Sequence, residues 1–136
     1  LAVAVTRCTN NYGPRQHPEK LVPKAISLAK AGKPIPIYGS GLQVRDWLYV
    51  KDHCEAIWHV AGLRRWGEVF NIAGRCEKTN LEIVGEILRA TGSKAGYEHV
   101  GDRLGHDFRY SLDDSKLRKA GWVPKVPFGE GMALFS

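Results

Sequence analysis

The chain has 136 residues, 43% hydrophobic and 25% charged, which is enough apolar material for one domain with a buried core and excludes a disordered segment. Twenty Lys and Arg against fourteen Asp and Glu leave a net charge of +6 without a basic block, which suits an anionic small ligand and gives no particular support to nucleic-acid binding. No apolar run approaches the ~20 residues that span a bilayer, no basic region opens the chain, and Cys8, Cys54 and Cys76 form no CxxC pair.

The expectation is therefore a soluble protein of a reducing, cytoplasmic compartment, with no membrane segment, disulfide scaffold or zinc ribbon. The only methionine is Met132, so the chain reads as a fragment of a longer one. Leu1 to Val5 is a continuous apolar run, the pattern of a strand buried on both faces of a parallel sheet. The polar stretch Arg7 to Arg15 follows, at the carboxyl end of that strand, where open α/β sheets bind ligands.

From Pro18 to Ala31, Leu21, Val22, Ala25, Ile26, Leu28 and Ala29 recur at helical spacing, with Gly32 as a stop and Pro23 to be accommodated in the first turns. Pro34 to Tyr38 alternates apolar residues but carries prolines, which predicts a short edge strand or extended segment, and Gly39 to Gly41 a turn. Val44 to Val50 is aromatic and β-branched enough for a strand, after which Asp52 is expected to cap a helix ending near Gly62. Glu68 to Ala73 is another short strand. Thr79-Asn-Leu-Glu82 has the spacing of a capping box, opening an amphipathic helix that runs to Gly92. Tyr97 to Val100 predicts a strand, Asp102 to Tyr110 a polar segment, and Asp114 the cap of a short helix ending at Gly121. The last residues, Trp122 to Ser136, break off where a further helix would begin. This alternation is α/β, with no repeat or flexible linker.

The candidate chemistry lies in polar groups outside the periodic segments. Arg45 and Arg103 are candidate anion receptors, because a planar guanidinium holds two phosphate oxygens at once. The competing reading is that each pairs with its neighbour, Asp46 or Asp102. Asn80 opens a helix, where free backbone N–H groups favour an anion, but the same position also suits a first-turn residue. Tyr38 could stack on a base and Tyr110 could donate a hydrogen bond, or both could be packing aromatics. His53 beside Cys54 has no chelating spacing, and no GxSxG elbow is present, so metal and serine-hydrolase chemistry are set aside.

Several segments occur in an order that carries more information than any one of them. They are Thr9-Asn-Asn-Tyr-Gly-Pro14, Pro18-Glu-Lys-Leu21, Pro36-Ile-Tyr-Gly39, Gln43-Val-Arg-Asp-Trp-Leu-Tyr-Val50, Asn71-Ile72, Glu77 to Leu81, and Asp102 to Tyr110. Together they closely resemble the C-terminal part of the dTDP-glucose 4,6-dehydratase family of extended short-chain dehydrogenases/reductases. The resemblance implies one late Rossmann strand and its loop (1–17), followed by a small mixed α/β nucleotide-sugar-binding lobe (18–136). It implies NAD as cofactor, dTDP-glucose as substrate, a 4-keto-6-deoxy sugar as product and a homodimer for the parent protein. The family's Gly-rich turn, Tyr-x-x-x-Lys pair and acidic dehydration residues would lie upstream, so no catalytic residue is assigned here and the chain alone is expected to be inactive.

Residue by residue, the resemblance places Asn10 near the sugar and diphosphate, and Lys20 and Leu21 at the helix start. Pro36, Ile37 and Tyr38 fall beside thymine, Arg45 and Asn80 on the diphosphate, and Asp102, Arg103, Leu104, Gly105, His106 and Tyr110 over the nucleotide. Leu104 stands where the family has proline and Phe108 where it has arginine. A UDP- or GDP-sugar dehydratase, decarboxylase or epimerase would share this scaffold, and a non-catalytic nucleotide-binding remnant is the alternative outside enzymes.

Overall fold

The structure is a computed structural model that describes residues 1–102, 105 and 107–135. Its elements alternate along the chain. The strand β1 (Val5–Cys8) runs through Thr9 into β2 (Asn10–Tyr12), and α1 (Leu21–Lys30) follows. Next come β3 (Ile35–Tyr38), β4 (Val44–Tyr49), α2 (Val50–Leu63) and β5 (Val69–Ile72). The remainder comprises β6 (Glu77–Thr79), α3 (Asn80–Thr91), β7 (Tyr97–Val100), β8 (Arg109–Tyr110), α4 (Ser115–Lys119) and α5 (Phe128–Ala133).

Three small sheets result. β1 pairs in parallel with β5, Val5 opposite Val69 and Cys8 opposite Ile72. β4 is the hub of the second sheet: its later residues pair in parallel with β2, and its first ones pair antiparallel with β6 and parallel with β8. β3 pairs in parallel with β7. The parallel pairings agree with the α/β expectation, but the first strand is displaced. Leu1, Val3 and Val5 are exposed, and the parallel register runs from Val5 to Cys8 opposite Val69 to Ile72, at the end of the apolar run, with Val3 O bonded earlier, by Gly67 N at 2.7 Å. Arg7 and Cys8, read as loop, are therefore strand residues, and Tyr12 is a core residue at 1% exposure.

Two apolar clusters form the interior. One gathers Tyr12, Val22, Ile35, Ile37, Trp47, Ile83, Ile87 and Phe128 between α1, α3, α5 and the β2–β4 strands. The other packs Leu48, Ala56, Val60, Phe70, Ile72, Leu117 and Trp122 against Ala4 and Cys8, and so draws on chain from both sides of residue 17. Leu48 and Trp47 belong to different clusters because successive side chains of a strand face opposite ways.

The capping box at the start of α3 forms as its spacing predicts: Thr79 Oγ1 accepts from Glu82 N at 3.1 Å and Glu82 Oε2 accepts from Thr79 N at 2.7 Å. Pro23 is the third residue of α1, where its missing N–H costs nothing because the first four helical N–H groups have no partner within the helix. Two predicted caps are different in kind. Asp52 lies inside the first turn of α2, 2% exposed, and its carboxylate accepts from Lys125 N and Val126 N at 2.9 Å each. It anchors the segment before α5 and caps nothing of its own. Asp114 accepts from Arg118 Nε at 2.8 Å, and the N–H of Ser115 is taken instead by Asp113. Among the described residues no helix is long and apolar enough to cross a membrane.

Candidate functional site

Several elements turn their ends toward one cleft of about 820 Å³. β2 contributes Asn10, the start of α1 Lys20 and Leu21, β3 Pro36 and Tyr38, β4 Arg45, and the first residue of α3 Asn80. The alternation of β3 buries Ile35 and Ile37 and turns Pro36 and Tyr38 outward. Seven of the residues singled out in the sequence thus line a single cavity. His17, Glu19, Lys24 and Trp47 line it too and were not anticipated. Lys24 is one helical turn from Lys20, and Trp47 is two residues from Arg45 on the same strand face, so helical and strand periods carried out from the known residues point to both.

Arg45 is free of the neighbour proposed for it. The Asp46 carboxylate is 1% exposed and faces the other way, accepting from Gly74 N at 2.9 Å and Cys76 N at 2.7 Å. The Arg45 guanidinium instead donates to Val44 O at 2.7 Å and Asp107 O at 2.8 Å. Among the described residues it meets carbonyl oxygens and no carboxylate, which keeps its charge available to an anion. Among the described residues Lys20 and Lys24 likewise make no ion pair, and Glu19 is the only acid lining the cleft. Trp47, beside Asn10 in the β2–β4 register, is 5% exposed and packs edge-on against Tyr12 and Phe128, giving the floor an aromatic wall.

The remaining predicted residues are placed differently. Ile37 does not offer its side chain to the cleft: at 2% exposure it belongs to the core, since strand alternation lets only its neighbours face out. Asp102 follows β7 at the rim, so close to Gly39 that a Cβ there would stand 2.5 Å from its carboxylate. The φ of +57° favours glycine at position 39, and a side chain there would also have to displace the Asp102 carboxylate. Gly105 is exposed at φ +78°, and Tyr110, paired in register with Arg45 on β8, is 38% exposed and does not line the cleft. Arg103, Leu104 and His106 lie outside the described residues.

The chemistry of the lining is binding chemistry. The lining combines cations and a helix start with a proline–tyrosine edge on an extended strand, the complement of a phosphorylated molecule with a planar base. Burial pushes the Tyr12 hydroxyl well above its ordinary value, and it donates to Phe128 O at 3.3 Å, so it is a structural phenol. Burial also raises the Cys76 thiol, which argues against a reactive thiolate. Among the described residues no group of three His, Cys, Asp or Glu could hold a metal ion. Among the described residues the Gly39–Gly41 turn is not that of a dinucleotide site. Gly39-Ser-Gly41 follows a strand, but it leads into β4 and not into a helix, so no Gly-rich strand–turn–helix is formed.

Residues 1–73 match the model of the NAD dependent epimerase/dehydratase family, and the chain belongs to that family. Within it the chain is similar to a dTDP-glucose 4,6-dehydratase of Streptomyces niveus, 51% identical over 97% of this chain and 40% of that protein. It is also similar to the crystal structure of a dTDP-glucose 4,6-dehydratase from Bacillus anthracis in complex with NAD, with a TM-score of 0.90 at 49% identity over 96% of this chain and 42% of that one. The UDP-glucose 4-epimerase of Thermotoga maritima, solved with UDP-glucose, shares the fold at a TM-score of 0.90 and 32% identity over 98% of this chain and 44% of that one. The chain thus spans about two fifths of the length of the relatives it matches.

Proposed function

We propose that the chain is the nucleotide-sugar-binding part of a dTDP-glucose 4,6-dehydratase, an NAD-dependent lyase that converts dTDP-glucose to dTDP-4-keto-6-deoxyglucose. The observation that carries this reading is the cleft, in which Asn10, Lys20, Arg45 and Asn80 converge with Pro36 and Tyr38 and in which Arg45 meets no carboxylate among the described residues. The similarity to dTDP-glucose 4,6-dehydratases over nearly the whole chain supports the thymidine nucleotide in particular.

In this reading Arg45 and the N–H groups at the start of α3 bind the diphosphate, Lys20 adds charge from α1, and Pro36 and Tyr38 seat the base. Asn10 is placed for the sugar–diphosphate junction. Asp102, Arg103, Leu104, Gly105, His106 and Tyr110 close the nucleotide side. NAD, when bound to the longer protein, supplies the hydride acceptor and donor. The groups of this chain hold the sugar nucleotide in register for that exchange, and the acid and base of dehydration lie outside it. A cytoplasmic homodimer is part of the same proposal.

Titration calorimetry of the chain with dTDP and UDP tests the reading. The expected result is binding of dTDP at least about tenfold tighter than UDP, a difference of ~1.4 kcal/mol. Tighter UDP binding would favour a sister enzyme, a possibility that the fold shared with UDP-glucose 4-epimerase supports. No binding of either nucleotide would remove the proposal. With dTDP-glucose and added NAD, the 136-residue chain is expected to form no 4-keto product, because its catalytic groups are missing.

A further inference from the structure

Arg45 can hold a diphosphate only while its guanidinium is kept facing the cleft. One of its anchors is local, the carbonyl of Val44 at 2.7 Å, and the other, Asp107 O at 2.8 Å, comes from a segment 62 residues further along. That segment must itself be fixed. Val44 N donates to Phe108 O at 2.8 Å, and β8 sets Arg109 opposite Val44 and Tyr110 opposite Arg45. Two residues of parallel pairing are too few to hold a strand in place on their own.

The extra restraint comes from across the hub strand. Glu77 lies on β6, which pairs antiparallel with the same residues of β4 that β8 pairs with in parallel. Its carboxylate accepts from Arg109 Nε at 2.8 Å and Arg109 Nη2 at 2.6 Å, and from Ser111 Oγ at 2.8 Å. Two parallel bonds between planar groups resist the rotation that a single-point ion pair permits. The side chains of Arg109 and Glu77 are 61% and 36% exposed, so the pair adds little to global stability and its effect is geometric.

We infer that Glu77 is a positioning residue: through Arg109 and β8 it holds the Asp107 carbonyl against Arg45 and so sets the guanidinium for the diphosphate. The inference rests on the reading of the cleft as a dTDP site. It assigns Glu77 and Arg109 a part in nucleotide recognition although neither lines the cleft. Glu77 acts where charge is bound, so its removal must cost diphosphate affinity and leave base affinity alone.

The test is calorimetric titration of dTDP and of thymidine into the wild-type chain, Glu77→Gln, Arg109→Lys and the reversed pair Glu77→Arg/Arg109→Glu, with denaturation midpoints measured in parallel. Glu77→Gln is expected to weaken dTDP about tenfold and thymidine less than about twofold, and the reversed pair to recover most of the loss. Equal weakening of both ligands, or unchanged dTDP affinity in a folded Glu77→Gln, overturns the inference. If Glu77→Gln does not fold, Arg109→Lys decides the matter, since it keeps the charge and loses the second bond; an unchanged dTDP-to-thymidine ratio then overturns the inference. Failure of the wild-type chain to bind dTDP overturns the reading of the cleft and the inference with it, a result distinct from the others.

Discussion

In the layer formed by β1, β5, α2 and α4, three cations find carboxylate partners inside the chain. Lys116 donates to Val69 O and pairs with Glu68 at 2.8 Å each, with its ammonium 4.5 Å from the centre of the Phe70 ring. Arg65 holds the same carboxylate through two bonds, and Arg118 holds Asp114. Around the cleft, Lys20, Lys24 and Arg45 meet no carboxylate among the described residues, although acids such as Asp46 stand one residue away. The two regions differ in where the acids point: Glu68 and Asp114 turn to the cations beside them, and Asp46 turns away from Arg45. A structural layer satisfies its cations, and a site for an anion leaves them for the ligand.

That contrast breaks most visibly at Phe70, which is fully buried beneath Lys116 and Arg65. Phe70→Ala is expected to cost about 3–5 kcal/mol of unfolding free energy in urea, with dTDP affinity of the folded fraction unchanged. A loss of affinity without a loss of stability would show that the two regions are coupled more tightly than their separate cores suggest. Asp46→Ala acts at the joint between them. It removes the acceptor of the Cys76 N–H and one of the two acceptors of the Gly74 N–H, which keeps Thr9 Oγ1 at 3.1 Å, and the one part-buried donor left unpaired predicts a destabilisation of about 1–3 kcal/mol by the same measurement. Asp46→Asn, which keeps one acceptor oxygen, should recover part of it.

Much of this layout was legible in the chain. The Thr79–Glu82 spacing located a helix start to the residue, because a capping box is a local exchange of two hydrogen bonds. Pro36 between Ile35 and Ile37 marked an extended segment, and β3 is one. Periodicity read only what periodicity governs. The apolar run Leu1 to Val5 misplaced the first strand because pairing with Val69 to Ile72, 64 residues away, decides where it begins. Asp52 looked like a cap, since sequence shows an acid before a helix but not the two backbone N–H groups of Lys125 and Val126 that claim it. Ile37 was grouped with its neighbours although strand alternation alone would have turned it inward. Asn10 meeting Trp47, and Glu77 meeting Arg109, depend on register across the hub strand, for which no local signal exists.

The site itself is sharpened by Arg45→Ala. Loss of a charge-assisted contact predicts roughly 1.5–3 kcal/mol weaker dTDP binding by calorimetry. Stability should change by less than about 1 kcal/mol, because the bonds lost run only to carbonyl oxygens at a partly exposed position. Unchanged affinity in the folded variant would return Arg45 to a structural role and erase the difference between the two regions.

The smallest expected effect is a pH dependence confined to the layer. His53, half-buried on α2, has its imidazole held below the ordinary value of 6.5 by burial, which disfavours the charged ring. The folded chain therefore takes up this proton less readily than the unfolded chain. The neutral ring's contribution to stability is complete above about pH 6.5 and is lost as the pH falls through the lower folded-state value. Denaturation midpoints followed downward from pH 7.5 should fall more steeply for the wild-type chain than for His53→Gln, and the gap between the two curves should open only on the acid side. Identical curves would assign the slope to other groups. A gap present already at neutral pH would mean that the substitution disturbs the packing of α2, not a proton equilibrium.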